Sequence, residues 1–361
     1  MSPHLFIQPM DVLLFRDGRP FSAGSDHHAE SMFPPYPSVI QGAIRSYQLA
    51  RLGVDLHNRA DIENVVGKPN TYGSLHLRGP FLAKKDSQGK ITRYFPQPAD
   101  AQKVSRGVIK QADKPRILPA NVGTNSPTPM LIGWNDPPQK GESGLWLTEE
   151  SLYQYLDGKA VKTIPETDLF ITENRFGIGT NSTTGTTLQG ALYEVSFVRL
   201  QQSVGLLVEM EGDGYDTWDQ TGVLQLGGES RSATYEVVTL PPLQPPPFSI
   251  PRRFKLYFAT PTYFSKGWIP SSWNLFFDGQ IILQAAAVGR YESVGGVNLA
   301  HDPKRPDELH RPSRRYVPAG SVYYFSQEGS ETVRFKPSLI QKAITEIGAE
   351  IGYGQIILKE W

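Results

Sequence analysis

The side chains best suited to chemistry cluster near the start of the chain: Arg16, Asp17, Arg19, His27 and His28, in the run RDGRPFSAGSDHH. Two guanidinium groups flanking Gly18 make a turn that can bring backbone N–H groups and forked donors up to a phosphate. A loop imidazole beside it would serve as general acid or base in metal-free attack by a 2′-hydroxyl. The alternatives are a charged turn closed by an Asp17–arginine pair, and histidines that only touch phosphate, base or solvent. The chain has no cysteine, so disulfides, thiolate metal sites and thiol nucleophiles are excluded. No H-x-x-x-H spacing and no carboxylate cluster points to a metal. Gly177-Ile178-Gly179 lacks a third glycine, and the run Thr180–Thr187 has no lysine at Walker spacing, so nucleotide-loop signatures fail.

The elements that must hold these residues are legible on either side of them. Leu5–Phe15 is rich in strand formers, with Pro9 and Asp11 tolerable only at an edge or bulge. Downstream, Met32–Ser38 leads into a helix over Val39–Leu52, with Ser38 as the expected N-cap and Gly53 as the stop. Ile40, Ala43, Ile44 and Tyr47 fall on its core face and Arg45 off it. Gly42 in mid-helix implies a close backbone approach. Phe33 and Tyr36 read mainly as packing residues, with base stacking the lesser alternative.

At 361 residues, two domains are the natural expectation. The run Pro241–Pro247 reads as a stiff linker, dividing the chain into 1–244 and 245–361. Each part starts with a strand (Leu5–Phe15; Arg252–Phe264) and ends with a glycine-rich segment feeding a strand, a weak internal repeat of the kind two βαββαβ units leave. Further strands are expected near 75–85, 91–95, 284–298 and 314–326. Helices are expected near 149–157 and 337–348, and a hairpin of 192–200 against 204–211. The 36 basic residues balance 36 acidic ones, so the chain is no general polyanion binder. Yet Arg78–Arg116 and Pro251–Arg315 are locally basic while Gly205–Glu236 is acidic, which suits RNA on one face and protein on another. No apolar run reaches the length of a membrane span, and a cytoplasmic protein without membrane contact is expected.

The strand, Gly-Pro elbow and Pro-led helix are joined by Glu173–Gly179 with Gly190–Tyr193, by Leu226–Arg231, by Val288–Tyr291 with Gly295-Gly296, by Arg315–Tyr323 and by Ile351–Gln355. In this order and combination the chain resembles the RAMP superfamily of CRISPR proteins, and within it the third-subunit family of the type III-B (Cmr) effector complex. The resemblance implies an α+β fold of two ferredoxin-like RAMP domains with insertions, and no cofactor or metal. It further implies a non-catalytic subunit that binds the 5′ handle of the CRISPR RNA. That subunit would dock the large polymerase/cyclase-like subunit and touch the backbone RAMP subunits. Arg16, Arg19, His27, His28, Arg45, Arg106, Arg175, Gly227, Gly228 and Arg231 are the expected RNA contacts, by charge neutralisation, forked hydrogen bonds and close backbone approach. Gly352-Tyr353-Gly354 is expected to be structural or to meet another protein. The competing readings are a guide-RNA-processing endoribonuclease using His27 or His28, and an aromatic-rich carbohydrate binder.

Overall fold

In the computed structural model the described residues are 3–16, 28–68, 71–111, 115–117, 127–133, 144–243, 249–297, 310–329 and 332–361. The first half comprises β1 (His4–Pro9), α1 (Pro37–Arg51), α2 (Arg59–Val66), β2 (His76–Lys85), β3 (Ile91–Pro96), β4 (Ala101–Ser105) and β5 (Val108–Gln111). It continues with β6 (Leu145–Thr148), α3 (Glu149–Leu156), β7 (Phe170–Thr180), β8 (Thr187–Leu200), β9 (Val204–Glu211), β10 (Thr221–Gln225) and β11 (Ser232–Val238). The second half contributes β12 (Arg253–Phe258), β13 (Ile281–Ala287), β14 (Glu292–Val297), β15 (His310–Val317), β16 (Val322–Gln327) and β17 (Ile356–Glu360).

An eight-stranded sheet runs in the order 164–165, β6, β3, β2, β9, β1, β11, β10. Its central strands β2, β9, β1 and β11 are antiparallel neighbours. Counted along the chain, they stand second, third, first and fourth. The four-stranded sheet of the second half, β13-β16-β12-β17, repeats that order with antiparallel pairing throughout. The internal similarity of the two halves is therefore carried by strand order.

Alternation along the strands decides where the core lies. Leu5 and Ile7 of β1 pack with Ile40 and Ile44 of α1 on one face of the large sheet. Phe81 and Phe95 join Tyr257, Tyr324 and Ile357 of the second sheet in one buried cluster, so the halves share a core. The second sheet's other face, with Phe254, Leu256, Phe258 and Phe325, is roofed by Phe264, Phe276, Phe277 and Trp273. A polar knot sits within the shared core. The Asp100 carboxylate accepts from the hydroxyls of Tyr155 at 2.8 Å and Tyr324 at 2.5 Å, and Lys255 Nζ reaches Gln111 Oε1 at 2.7 Å. Asp100 is fully buried and Lys255 nearly so. Burial pushes the Asp100 carboxyl up, opposed by the Tyr324 and Tyr155 hydrogen bonds and the Lys255 charge.

Several local expectations are corrected by tertiary context. The first strand ends at Pro9, and the chain beyond it makes only isolated bridges, at Leu13 and Arg16. Helix α1 is capped by Tyr36 with Pro37 in its first turn, and Ser38 instead bonds the Tyr353 hydroxyl at 3.2 Å. A Cβ on Gly42 would meet nothing within 4 Å, so no close approach explains that glycine. Strand β8 pairs with β7, whereas β9, buried along nearly all its length, lies between β1 and β2. The expected 192–200/204–211 hairpin does not form, because a strand whose run Val204–Val208 is apolar on both faces is worth more at the sheet centre than in an exposed ribbon. The 337–348 stretch has helical periodicity but only a 3₁₀ turn, Ile340–Lys342; Gln341 and Lys342 take φ of 50° and 55°. Residues 244–247 of the proline run lie outside the described residues.

Candidate nucleic-acid interface

Three separate pieces of chain meet where β1 ends. Leu13 exchanges backbone hydrogen bonds with Val198 of β8 at 2.8 and 2.9 Å. His28-Ala29 runs parallel to β8 beside Glu194 and Val195, and Met32 N–H donates to the Phe15 carbonyl at 2.8 Å. Both ends of the arginine-histidine elbow are thereby fastened beside one ribbon. The third piece is the turn between β10 and β11. Gly228 N–H donates to the Leu14 carbonyl at 2.7 Å, and a Cβ on Gly227, whose φ is 82°, would lie 2.6 Å from that oxygen. Glycine is required at 227 because neither the backbone conformation nor the space admits a side chain. Glu229 and Ser230 then turn left-handed, at φ of 54° and 51°, and aim Arg231 back at the ribbon.

Asp11 is the meeting point. Its carboxylate lies 3.1 Å from Arg199, 3.5 Å from Arg175 and 3.6 Å from Arg231. Glu173 pairs with Arg199 at 2.6 Å and Arg175 at 2.7 Å, and Glu229 with Arg231 at 2.9 Å. The guanidinium carbons of Arg175 and Arg231 stand 5.1 and 4.9 Å from the ring centre of Phe197, a buried residue packed with Val12, Leu14 and Val195. Hydrogen bonds from Arg199 and Arg175 hold the Glu173 carboxyl below its usual range. Desolvation works the other way at Asp11, but the Val12 N–H and the arginines hold that carboxyl low too. Three arginines face three carboxylates, so the hub is neutral. A phosphate arriving here meets fixed, forked donors whose charge is already balanced, and it gains by taking the place of a carboxylate rather than by long-range attraction.

The expected contact residues are distributed unevenly. Arg175, Gly227, Gly228 and Arg231 are brought together, and Arg16 is exposed at the start of the elbow. Arg19 and His27 lie outside the described residues, and of His28 only the strand position is described. Arg45 is directed elsewhere: its guanidinium donates to the carbonyls of Val66 and Gly67 at 2.5 and 3.5 Å, tying α1 to the end of α2. Arg106 is exposed in the β4–β5 turn, away from the hub residues in sequence and sheet. Phe33 is packed between Phe15 and Phe170, at 6.0 and 4.7 Å between ring centres. Asp11, Phe197 and Arg199 were not singled out from sequence. Their only signals there were an acid interrupting a strand and an alternating Phe-x-Arg pattern.

The β7–β8 ribbon projects from this hub with apolar side chains on show. Phe176 is 71% exposed, and Ile178, Leu188 and Leu192 are exposed as well. The Tyr193 ring occupies the space a Cβ on Gly177 would need. Gly352-Tyr353-Gly354 meets the first half of the same chain: Tyr353 is buried, and a Cβ on Gly352 would strike the Gly79 carbonyl. Among the described residues no three His, Asp or Glu side chains are grouped to hold a metal. Nor is any helix there long and apolar enough to cross a membrane.

In fold the chain is similar to a subunit of the type III-B Cmr-beta complex bound to cognate target RNA, with a TM-score of 0.51 at 15% identity over 99% of each chain. A second structure of that complex, bound to target RNA and AMPPnP, matches with a TM-score of 0.49 at 15% identity, over 89% of this chain and 86% of the other. No curated protein matches. The first of these likenesses shows the fold, an α+β arrangement shared with that subunit. Residues 5–361 match the model of the CRISPR-associated protein family Cas_Cmr3. The chain belongs to that family, the third-subunit family of the type III-B effector complex.

Proposed function

We propose that this subunit holds the 5′ handle of the CRISPR RNA at the Asp11 hub and the adjoining elbow, and that it docks the large polymerase/cyclase-like subunit. The observation that carries the reading is convergence: the elbow ends, the Gly227-Gly228 turn and the ribbon base all meet around Arg175, Arg199 and Arg231. Backbone glycine and forked guanidinium groups together suit a bent RNA backbone. The exposed apolar side chains of the β7–β8 ribbon suit a protein partner. The repeated strand order supports two ferredoxin-like domains, 1–244 and 245–361, as the RAMP architecture. Contacts with the backbone RAMP subunits belong to the same reading.

The role is non-catalytic. With Arg16 and Arg19 both changed to Ala, the chain should fold and assemble, while the handle is lost from the complex and target cleavage falls. Retention of handle and cleavage by that double variant would sink the proposal. A processing endonuclease would instead cut a repeat RNA at one position in EDTA with the wild-type chain alone, and lose that activity on changing His27 and His28 to Ala.

A further inference from the structure

The three arginines of the hub are not held in the same way. Arg199 is oriented by carboxylates: its Nε donates to Glu173 at 2.6 Å and its Nη2 to Asp11 at 3.1 Å, and among the described residues it stacks on no ring. Arg175 and Arg231 also meet the Phe197 ring, with guanidinium carbons 5.1 and 4.9 Å from its centre. For Arg231 the ring matters most. Its Nη1 stands 3.6 Å from Asp11, beyond ordinary hydrogen-bond length, and its Nε is buried with no hydrogen-bond partner among the described residues. Glu229 and the ring are left to orient it.

The ring itself is firmly seated. Phe197 is buried and packs with Val12, Leu14 and Val195, while Leu13 pairs through its backbone with Val198. The segment that leads into the elbow therefore also builds the seat of the ring. Across β7 and β8, Glu173 lies opposite Phe197 and Arg175 opposite Val195, which places Glu173, Arg175, Phe197 and Arg199 on one face of the ribbon. A phosphate entering the hub takes the place of carboxylates, and carboxylates are what orient Arg199. The ring stays. A stacked guanidinium keeps its N–H edge free for a forked bond to phosphate, so Arg175 and Arg231 hold their geometry as their counter-ions are displaced.

We propose that Phe197 is the positioning residue of the hub, an aromatic floor that keeps Arg175 and Arg231 aligned for the RNA backbone once their carboxylate partners have given way. The inference rests on the reading that the hub holds the CRISPR RNA handle. The test measures binding of the full-length chain to a 5′-handle oligoribonucleotide across a salt series. Phe197→Leu should lower affinity by about tenfold, the loss expected for two cation–π contacts. The slope of log affinity against log salt should stay as in wild type, because every charge is retained. Phe197→Tyr, which keeps a ring, should restore most of the affinity. Because leucine also alters packing, the decisive series places phenylalanine analogues of increasing ring fluorination at 197. Ring shape is kept while the π face loses electron density, and affinity should fall stepwise with the unfolding temperature unchanged. Arg175→Ala with Arg231→Ala, run in parallel, should lose affinity and make the salt slope shallower. Affinity independent of fluorination, or wild-type affinity in Phe197→Leu, would overturn the positioning role while the loss in the arginine variant still shows that the hub binds RNA. Wild-type affinity and slope in the arginine variant would instead overturn the handle reading, and the role of Phe197 with it.

Discussion

Asp11 and Arg231 stand 3.6 Å apart, joining the exit of the first strand to the glycine-rich turn that precedes the last strand of the same sheet. The contact closes the hub, and it also sets its charge. With Arg175 and Arg199 on the same carboxylate, the site holds its donors in place before any anion arrives.

That balance predicts a gain of function. Asp11→Asn removes one negative charge from a neutral cluster and frees guanidinium edges. Exposed ion pairs of this kind are worth up to about 1 kcal/mol, so handle affinity of the isolated chain should rise by up to about fivefold. Filter binding at low salt reads this directly; a fall in affinity with unchanged unfolding temperature would show that Asp11 positions the arginines more than it masks them.

The Gly227 turn makes a structural prediction with a functional readout. Ala at 227 must adopt a left-handed φ, costing about 1 kcal/mol, and its Cβ would press on the Leu14 carbonyl. The unfolding temperature should drop by a few degrees and handle binding should weaken with it. Ala at Gly185, in the ribbon-tip turn where φ is also positive but nothing lies within 4 Å, should show the temperature effect without the binding effect.

Within the shared core, Tyr324→Phe deletes one donor to a fully buried carboxyl. Hydrogen bonds to charged groups are worth about 1.5–3 kcal/mol, and a loss in that range is expected in denaturant unfolding. No loss would mean that Tyr155 and Gln111 satisfy Asp100 without it.

Glu292 gives the pH prediction. Burial pushes its carboxyl up to about 7 from the usual 4.5. The folded chain therefore keeps a proton there that the unfolded chain releases, and the unfolded state binds fewer protons between these values. Stability should decline as pH rises from about 4.5 to about 7 and level off above. Glu292→Gln should flatten this part of the profile and be relatively more stable at pH 8. An identical profile in wild type and variant would place the titration elsewhere.

Much of the fold could be read from periodicity, and the failures have common causes. α1, β2, β3 and α3 are local patterns whose burial follows their own sequence, so their positions were legible. The partner of β8 was not: adjacency in sequence favoured β9, but β9 is buried on both faces along nearly all its length and the sheet centre takes it. The 337–348 segment failed for another reason. Its Leu, Ile and Ala spacing fits a helix, yet Gln341 and Lys342 leave the helical region and Ile344 N–H bonds the Gly354 carbonyl instead. At the hub, Arg175, Gly227, Gly228 and Arg231 were named because they lie in the segments Glu173–Gly179 and Leu226–Arg231 that carry the family resemblance. Asp11 was not, since an acid's role as a shared counter-ion depends on three arginines that reach it from β7, β8 and the turn before β11.

The most direct test of the central claim is to map contacts of the handle itself. In the reconstituted complex, a CRISPR RNA carrying 4-thiouridine in its 5′ handle should crosslink to peptides from 10–31 and 226–231 of this chain. These crosslinks should vanish when Arg175 and Arg231 are both changed to Ala, while the subunit still co-elutes with the complex. Crosslinks to other subunits only, or to this chain at peptides remote from the hub and unaffected by the double substitution, would contradict the account.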